Sequence, residues 1–244
     1  MYIFLHMHKC AGSTVVRKAR QAKLKLAANH RNGNLVRADG KNVRYNRMSE
    51  NALHALLHQV NDAGVQFFAI EWDFPKVEYF DCGVPVELFT VMRDPFARAV
   101  SNYRFAKLSG AVHKDVVFQQ LMNWSYTKAG ALARSSNYYT RKLSAAGSLD
   151  RLDEASVERA LAVLDRFRSV IILERDNLDA ELALIGIEAE VKPAKETASL
   201  VRHGVTDKDL LVSDSDRAWF EAENPLDYAL FNTLRQRDKA LKAA

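Results

Sequence analysis

Hydrophobic positions along this chain fall into short solid runs separated by longer amphipathic stretches. Tyr2 to Met7 is a solid apolar run rich in β-formers, and a small polar cluster, His8 to Thr14, follows it. Val15 to about Ala28 are good helix formers, so the opening unit reads strand, tight loop, helix. Asn29 to Arg47 is polar, with turn signals at Asn32-Gly33-Asn34 and Asp39-Gly40. Ser49 is placed to cap a helix over Glu50 to Asp62, whose Ala52, Leu53, Leu56, Leu57 and Val60 form one stripe that Gly64 ends. Further buried strands are predicted over Val65–Ile70, Val86–Met92 and Ser169–Leu173. Helices are predicted over Phe96–Leu108, Val116–Lys128, Ser135–Leu143, Ser156–Arg166 and Leu178–Ile185, the last closed at Gly186. Beyond Asp207 the pattern is mostly helical, punctuated by Asn224-Pro225. Such alternation predicts an α/β protein with a parallel sheet covered on both faces. No repeat, low-complexity tract or linker divides the chain, so a single domain over 1–244 is expected.

Composition narrows the class. At 244 residues, 48% hydrophobic and 27% charged, the chain is an ordinary globular sequence. It can bury roughly 70% of its unfolded surface and needs no metal or disulfide staple. Two cysteines, Cys10 and Cys82, make neither a disulfide framework nor a four-ligand zinc site. With no apolar run near the roughly 18 residues of a membrane span and no leader, a cytoplasmic location is expected. The net charge of +5 favours anionic ligands. No Lys/Arg-rich block with interleaved aromatics appears, so nucleic acid is not the expected partner. The most basic stretch, Arg17 to Lys25, reads as a solvated helix face.

In an open α/β sheet, ligands sit where strands give way to helices. The first such junction here is His8 to Thr14. Ala11 and Gly12 let the backbone curl so that successive N–H groups converge. The helix that follows adds about half a positive charge at its start, Lys9 a full one, and Ser13 and Thr14 hydroxyl donors. Together these suit a phosphate or sulfate group, although a Gly-Ser-Thr turn can equally well just open a helix. A nucleoside-triphosphate loop is a poor fit, because its lysine follows the second glycine whereas Lys9 precedes Gly12. The strand ending at Met92 is followed by Arg93, which suits a second anion better than a metal.

The residues 4 to 14, Phe-Leu-His-Met-His-Lys-Cys-Ala-Gly-Ser-Thr, resemble the 5′-phosphosulfate loop of carbohydrate sulfotransferases, which use 3′-phosphoadenosine 5′-phosphosulfate (PAPS). Arg93-Asp94-Pro95 with Ser101 and Tyr103 resembles the 3′-phosphate motif of the same family, including the eight-residue step from Arg93 to Ser101. Asn137 to Leu143, Val170 to Asp176 and Glu223 to Phe231 resemble later segments of the membrane-anchored Golgi glycan enzymes and their soluble bacterial relatives. His8 stands where the family usually has proline, and Cys10-Ala11 replaces a common Thr-Gly. Cys10 reads as a small filler rather than a nucleophile.

The resemblance implies a P-loop-like three-layer fold with a central parallel sheet flanked by helices. It also implies transfer of a sulfuryl group from PAPS to a hydroxyl of a carbohydrate or glycoconjugate, without a metal. His8, Lys9, Cys10, Ala11, Gly12, Ser13 and Thr14 would bind the phosphosulfate, and Arg93 and Ser101 the 3′-phosphate. Lys9 would stabilise developing charge. Glu71, in the segment Gln66 to Asp73, stands at the position of the usual base; a carboxylate doing that work wants its pKa lifted toward about 6–7. His8 is the reserve base. Glu71 can also be a strand-end carboxylate paired to a cation, and His8 a neutral loop histidine. His54 and His58 share a helix with no third ligand, and His30, His113 and His203 carry little signal. Trp124, Tyr126, Tyr138 and Tyr139 suit either a sugar ring or the core. A metal-dependent kinase and a non-catalytic nucleotide-binding module are the other readings. The partners expected are the donor and a hydroxyl acceptor, with the chain a monomer or homodimer.

Overall fold

The computed structural model describes residues 1–72, 74–126, 136–146, 150–189 and 205–242. Asp73, Ser135, His203 and Gly204, together with 127–134, lie outside them. The chain divides into two compact units, Met1–Arg93 with Ala162–Glu190, and Asp94–Leu161 with Val191–Ala244.

The first unit is built on a six-stranded, mostly parallel sheet of β1 (Tyr2–Leu5), β2 (His30–Arg31), β3 (Asn34–Leu35), β4 (Phe67–Ile70), β5 (Glu87–Met92) and β6 (Ser169–Ile172). The order across the sheet is β2-β3-β4-β1-β5-β6, with only β2 and β3 antiparallel. Its helices α1 (Gly12–Gln21), α2 (Glu50–Asp62) and α7 (Leu178–Leu184) follow the predicted alternation. Side chains along a strand alternate between faces. Phe4, Phe67, Ala69, Phe89, Val91 and Ile171 share one buried cluster with Val15, Val16 and Ala19 of α1 and Leu182 of α7. Their neighbours Ile3, Leu5, Phe68, Ile70 and Met92 are buried too, which is why the strands read as solid apolar runs.

Three local outcomes differ from expectation. α1 stops at Gln21, two turns early, because Lys23 takes a left-handed φ of 59° and Leu24 N–H reaches back to the Ala19 carbonyl at 3.0 Å. Such a stop normally needs Gly, so a lysine there conceals it. The basic stretch is therefore not one solvated face: Lys18 is buried and pairs with Asp179 of α7 at 2.6 Å, and Lys25 Nζ donates to the Ala63 carbonyl. The polar stretch after α1 holds β2 and β3, a hairpin turned by Asn32 (φ 47°) and Gly33 (φ 82°). Asn-Gly suits that two-residue turn, but strands of two residues leave no periodicity to read.

The second unit is helical, with α3 (Pro95–Leu108), α4 (Phe118–Tyr126), α5 (Tyr138–Leu143), α8 (Asp214–Glu223) and α9 (Pro225–Lys242); α6 (Glu154–Leu164) precedes β6 in the chain. Asp94 caps α3 through the Ala97 N–H at 2.8 Å, and Pro95 occupies the first turn. Phe96, Tyr103, Phe118, Met122 and Phe220 form its core. Two polar motifs lock α5 to α9. Asp227 accepts from Tyr139 N–H, Thr140 N–H and the Thr140 hydroxyl at 2.9–3.1 Å. Asn137 Oδ1 accepts in return from the N–H groups of Leu226 and Asp227, and Asn224 Oδ1 accepts from Asn137 N–H. Each helix start is thus satisfied by a side chain of the other helix. Tyr138 and Tyr139 are buried, which gives them to the core rather than to a sugar ring, whereas Trp124 is exposed.

Candidate functional site

Because β4, β1, β5 and β6 run parallel and in register, their carboxyl ends open on one edge of the first unit. Leu5 pairs with Ile70 on one side and Thr90 on the other, and Met92 with Ile172. The residues just past those ends are Glu71, the His6 to Ala11 loop, Arg93 and Glu174. Strands lie about 4.8 Å apart, so the ends of β4 and β5 flank the loop on either side, Glu71 after one and Arg93 after the other.

The loop after β1 is tightly curled. Cys10 N–H bonds the Met7 carbonyl, and Lys9 and Ala11 both adopt left-handed backbone, φ 66° and 56°. Ala11 caps α1 with no side-chain bond, and its carbonyl takes the N–H groups of Thr14 and Val15. The N–H groups of Gly12 and Ser13 find no acceptor among the described residues. Two open backbone donors at a helix start form an anion seat. Left-handed alanine costs about 1–2 kcal/mol, part of which glycine recovers. Ala11→Gly is expected to raise stability by about 0.5–1 kcal/mol, read as a melting midpoint about 1–4 °C higher. A lower midpoint would mean that the curl is not strained.

Gly12 is required for a steric reason. A Cβ there would lie 1.7 Å from His6 Nε2, so the buried imidazole packs flat against the first residue of α1. Sequence reading passed over His6 as part of an apolar run; the only hint was a polar residue closing a strand.

The structure brings Glu71, His8, Lys9 and Arg93 to the same edge. His8 Nδ1 lies 3.0 Å from Glu71 Oε1, and His6 Nδ1 lies 3.6 Å from Glu71 Oε2. An ionised carboxylate only accepts, so His8 Nδ1 donates and turns Nε2 away from Glu71. Trp72 lies against the His8 ring, centroids 5.1 Å apart. The backbone of Glu71 is fixed by its N–H to Asn34 Oδ1 at 2.9 Å, and Asn34 is itself buried in the hairpin. Asn34 was another residue the sequence did not single out, because a turn-forming asparagine gives no sign of its long-range partner.

Burial pushes the Lys9 ammonium below its ordinary value; Glu71 opposes that shift and the Arg93 guanidinium adds to it. Two cations close enough to repel, beside two open N–H groups, make a place where an anion relieves electrostatic cost. Arg93 Nε lies 3.6 Å from Glu174 Oε1, beyond hydrogen-bond length. Cys10 is buried, its Sγ 3.9 Å from the His8 carbonyl. Ser13 is exposed and Thr14 half-buried in the first turn of α1. Ser101 lies on α3, in the second unit. His58 bonds the Cys82 carbonyl and His54 lies 3.9 Å from Glu50. No helix among the described residues is long and apolar enough to cross a membrane.

Comparison of the chain with protein-family models, curated proteins and solved structures returns no match.

Proposed function

We propose that the chain is a PAPS-dependent sulfotransferase of P-loop-like fold, acting on a hydroxyl of a carbohydrate or glycoconjugate. The observation that carries this reading is the convergence of Lys9, Arg93 and the open N–H groups of Gly12 and Ser13 at the ends of two adjacent parallel strands. The donor set fits the donor molecule: backbone N–H groups and a lysine for a phosphosulfate, and an arginine fork for a second phosphate.

When bound, the donor supplies an electrophilic sulfuryl group on a phosphate that can leave with charge. The chain's own residues do the rest. His8 Nε2 takes the proton from the acceptor hydroxyl, and Glu71 holds Nδ1–H and stabilises the imidazolium. Glu71 is thus a positioning carboxylate in this pair, with His6 Nδ1 3.6 Å from its other oxygen. Lys9 and the N–H groups of Gly12 and Ser13 face the charge that develops on the oxygens.

Calorimetry with the product nucleotide 3′-phosphoadenosine 5′-phosphate (PAP) tests the reading. Tight binding that survives EDTA and weakens about 10–100-fold on Arg93→Ala is expected, since a charge-assisted fork is worth about 1.5–3 kcal/mol. A preference for ATP over PAP overturns the assignment. Lys9→Ala is expected to lower turnover about 10²–10³-fold with PAP affinity changed less, the cost of losing one donor to developing charge. An unchanged rate removes Lys9 from the mechanism.

A further inference from the structure

Beside Glu71, within the first unit, a cavity of about 870 Å³ opens between the β2–β3 hairpin and the segment that follows it. Its size is that of a site for a ligand of several rings. Five cationic side chains line it: Arg31, Arg37, Lys41, Arg44 and Arg47. Only Arg37 has a carboxylate partner among the described residues, Asp39, and Arg31 reaches the Gly40 carbonyl at 3.4 Å. Lys41, Arg44 and Arg47 have no carboxylate partner among the described residues. A cluster of like charges this dense raises the local potential and calls for an anion.

Two further features define the ligand. Trp72 lines the same cavity and is 45% exposed, a large aromatic face open to a ring. Asn42 Oδ1, also on the wall, is buried with no donor among the described residues, so it wants an O–H or N–H from outside. Anion, flat apolar ring face and hydroxyl donor occur together in an acidic saccharide.

We propose that this cavity binds the acceptor as an anionic oligosaccharide, carboxylated or already sulfated. Its acid groups lie on Arg44 and Arg47, a sugar ring lies on Trp72, and the reacting hydroxyl is presented toward the His8–Glu71 pair. The proposal rests on the sulfotransferase reading for the word acceptor, and on the cavity alone for the ligand. The polar stretch Asn29 to Arg47 thereby acquires a role in choosing the substrate.

Calorimetry of the full chain at low salt, without nucleotide, tests it with four probes. They are a hexasaccharide of alternating uronic acid and hexosamine, its sulfated form, its carboxyl-reduced neutral form, and a single-stranded hexanucleotide. The acidic sugars are expected to bind at least about tenfold more tightly than the neutral one, and to weaken steeply as salt rises. The stronger of the two acidic forms identifies the anion. The double substitution Arg44→Ala with Arg47→Ala is expected to cost the acidic sugars about tenfold, with the melting midpoint and PAP affinity unchanged, because both side chains are exposed. Trp72→Ala is expected to weaken acidic and neutral sugars alike. Equal binding of the neutral sugar, tighter binding of the hexanucleotide, or indifference to the double substitution overturns the proposal. Saccharide binding without PAP binding sinks the sulfotransferase reading and leaves this ligand assigned; PAP binding without preference for acidic sugars sinks the cavity's assignment alone.

Discussion

Gly12→Ala is expected to abolish PAP binding and to lower sulfuryl transfer by about 10⁴-fold or more. The added Cβ would sit 1.7 Å from His6 Nε2 and 2.1 Å from Cε1, well inside contact distance. His6 has nowhere cheap to go. Its ring stacks on Phe4 with centroids 5.4 Å apart, and its Nδ1 lies against Glu71. The clash is relieved by moving the start of α1, which displaces both open N–H groups. Each donor aimed at developing charge is worth about 10²–10³, so losing two gives the figure above. Overpacking costs about 1–3 kcal/mol, so the protein should still fold. Calorimetry and a thermal melt on the same sample separate the two effects. Retention of PAP affinity within about threefold, in a folded protein, would remove this loop from the donor site.

Asp227→Ala is expected to destabilise the second unit by about 3–5 kcal/mol, a large part of the stability of an ordinary domain. The fully buried carboxylate serves two backbone N–H groups and the Thr140 hydroxyl. Removing it strands those donors without water and takes away the charge that Arg98 faces while stacked 4.0 Å over Tyr138. Burial pushes the Asp227 carboxyl above its ordinary value, opposed by those donors and by Arg98. Asp227→Asn keeps one acceptor and the shape, and should cost about 1–2 kcal/mol. Urea denaturation of both variants gives the comparison. An alanine variant within about 1 kcal/mol of wild type would mean that the α5–α9 lock contributes little.

The same lock shows how far a motif reaches. Asn137, Asn224 and Asp227 are plain polar positions in the sequence, and nothing local says that they satisfy one another's helix starts across some ninety residues of chain. Ser49 and Asp94, in contrast, cap helices within three residues of themselves, and the Ser49 cap was legible. The end of α1 was not, because Lys23 holds a backbone conformation that its side chain does not announce.

Local chemistry was sufficient for the α/β alternation, the main parallel strands, the caps and the curl at Ala11-Gly12, since each depends on residues within one turn or one strand. Tertiary structure alone put Glu71 on His8, His6 beneath Gly12, Asn34 on Glu71 and Lys18 on Asp179. Those pairings follow from which strands lie side by side in the sheet, and strand order is set by long-range packing that no window of the chain contains.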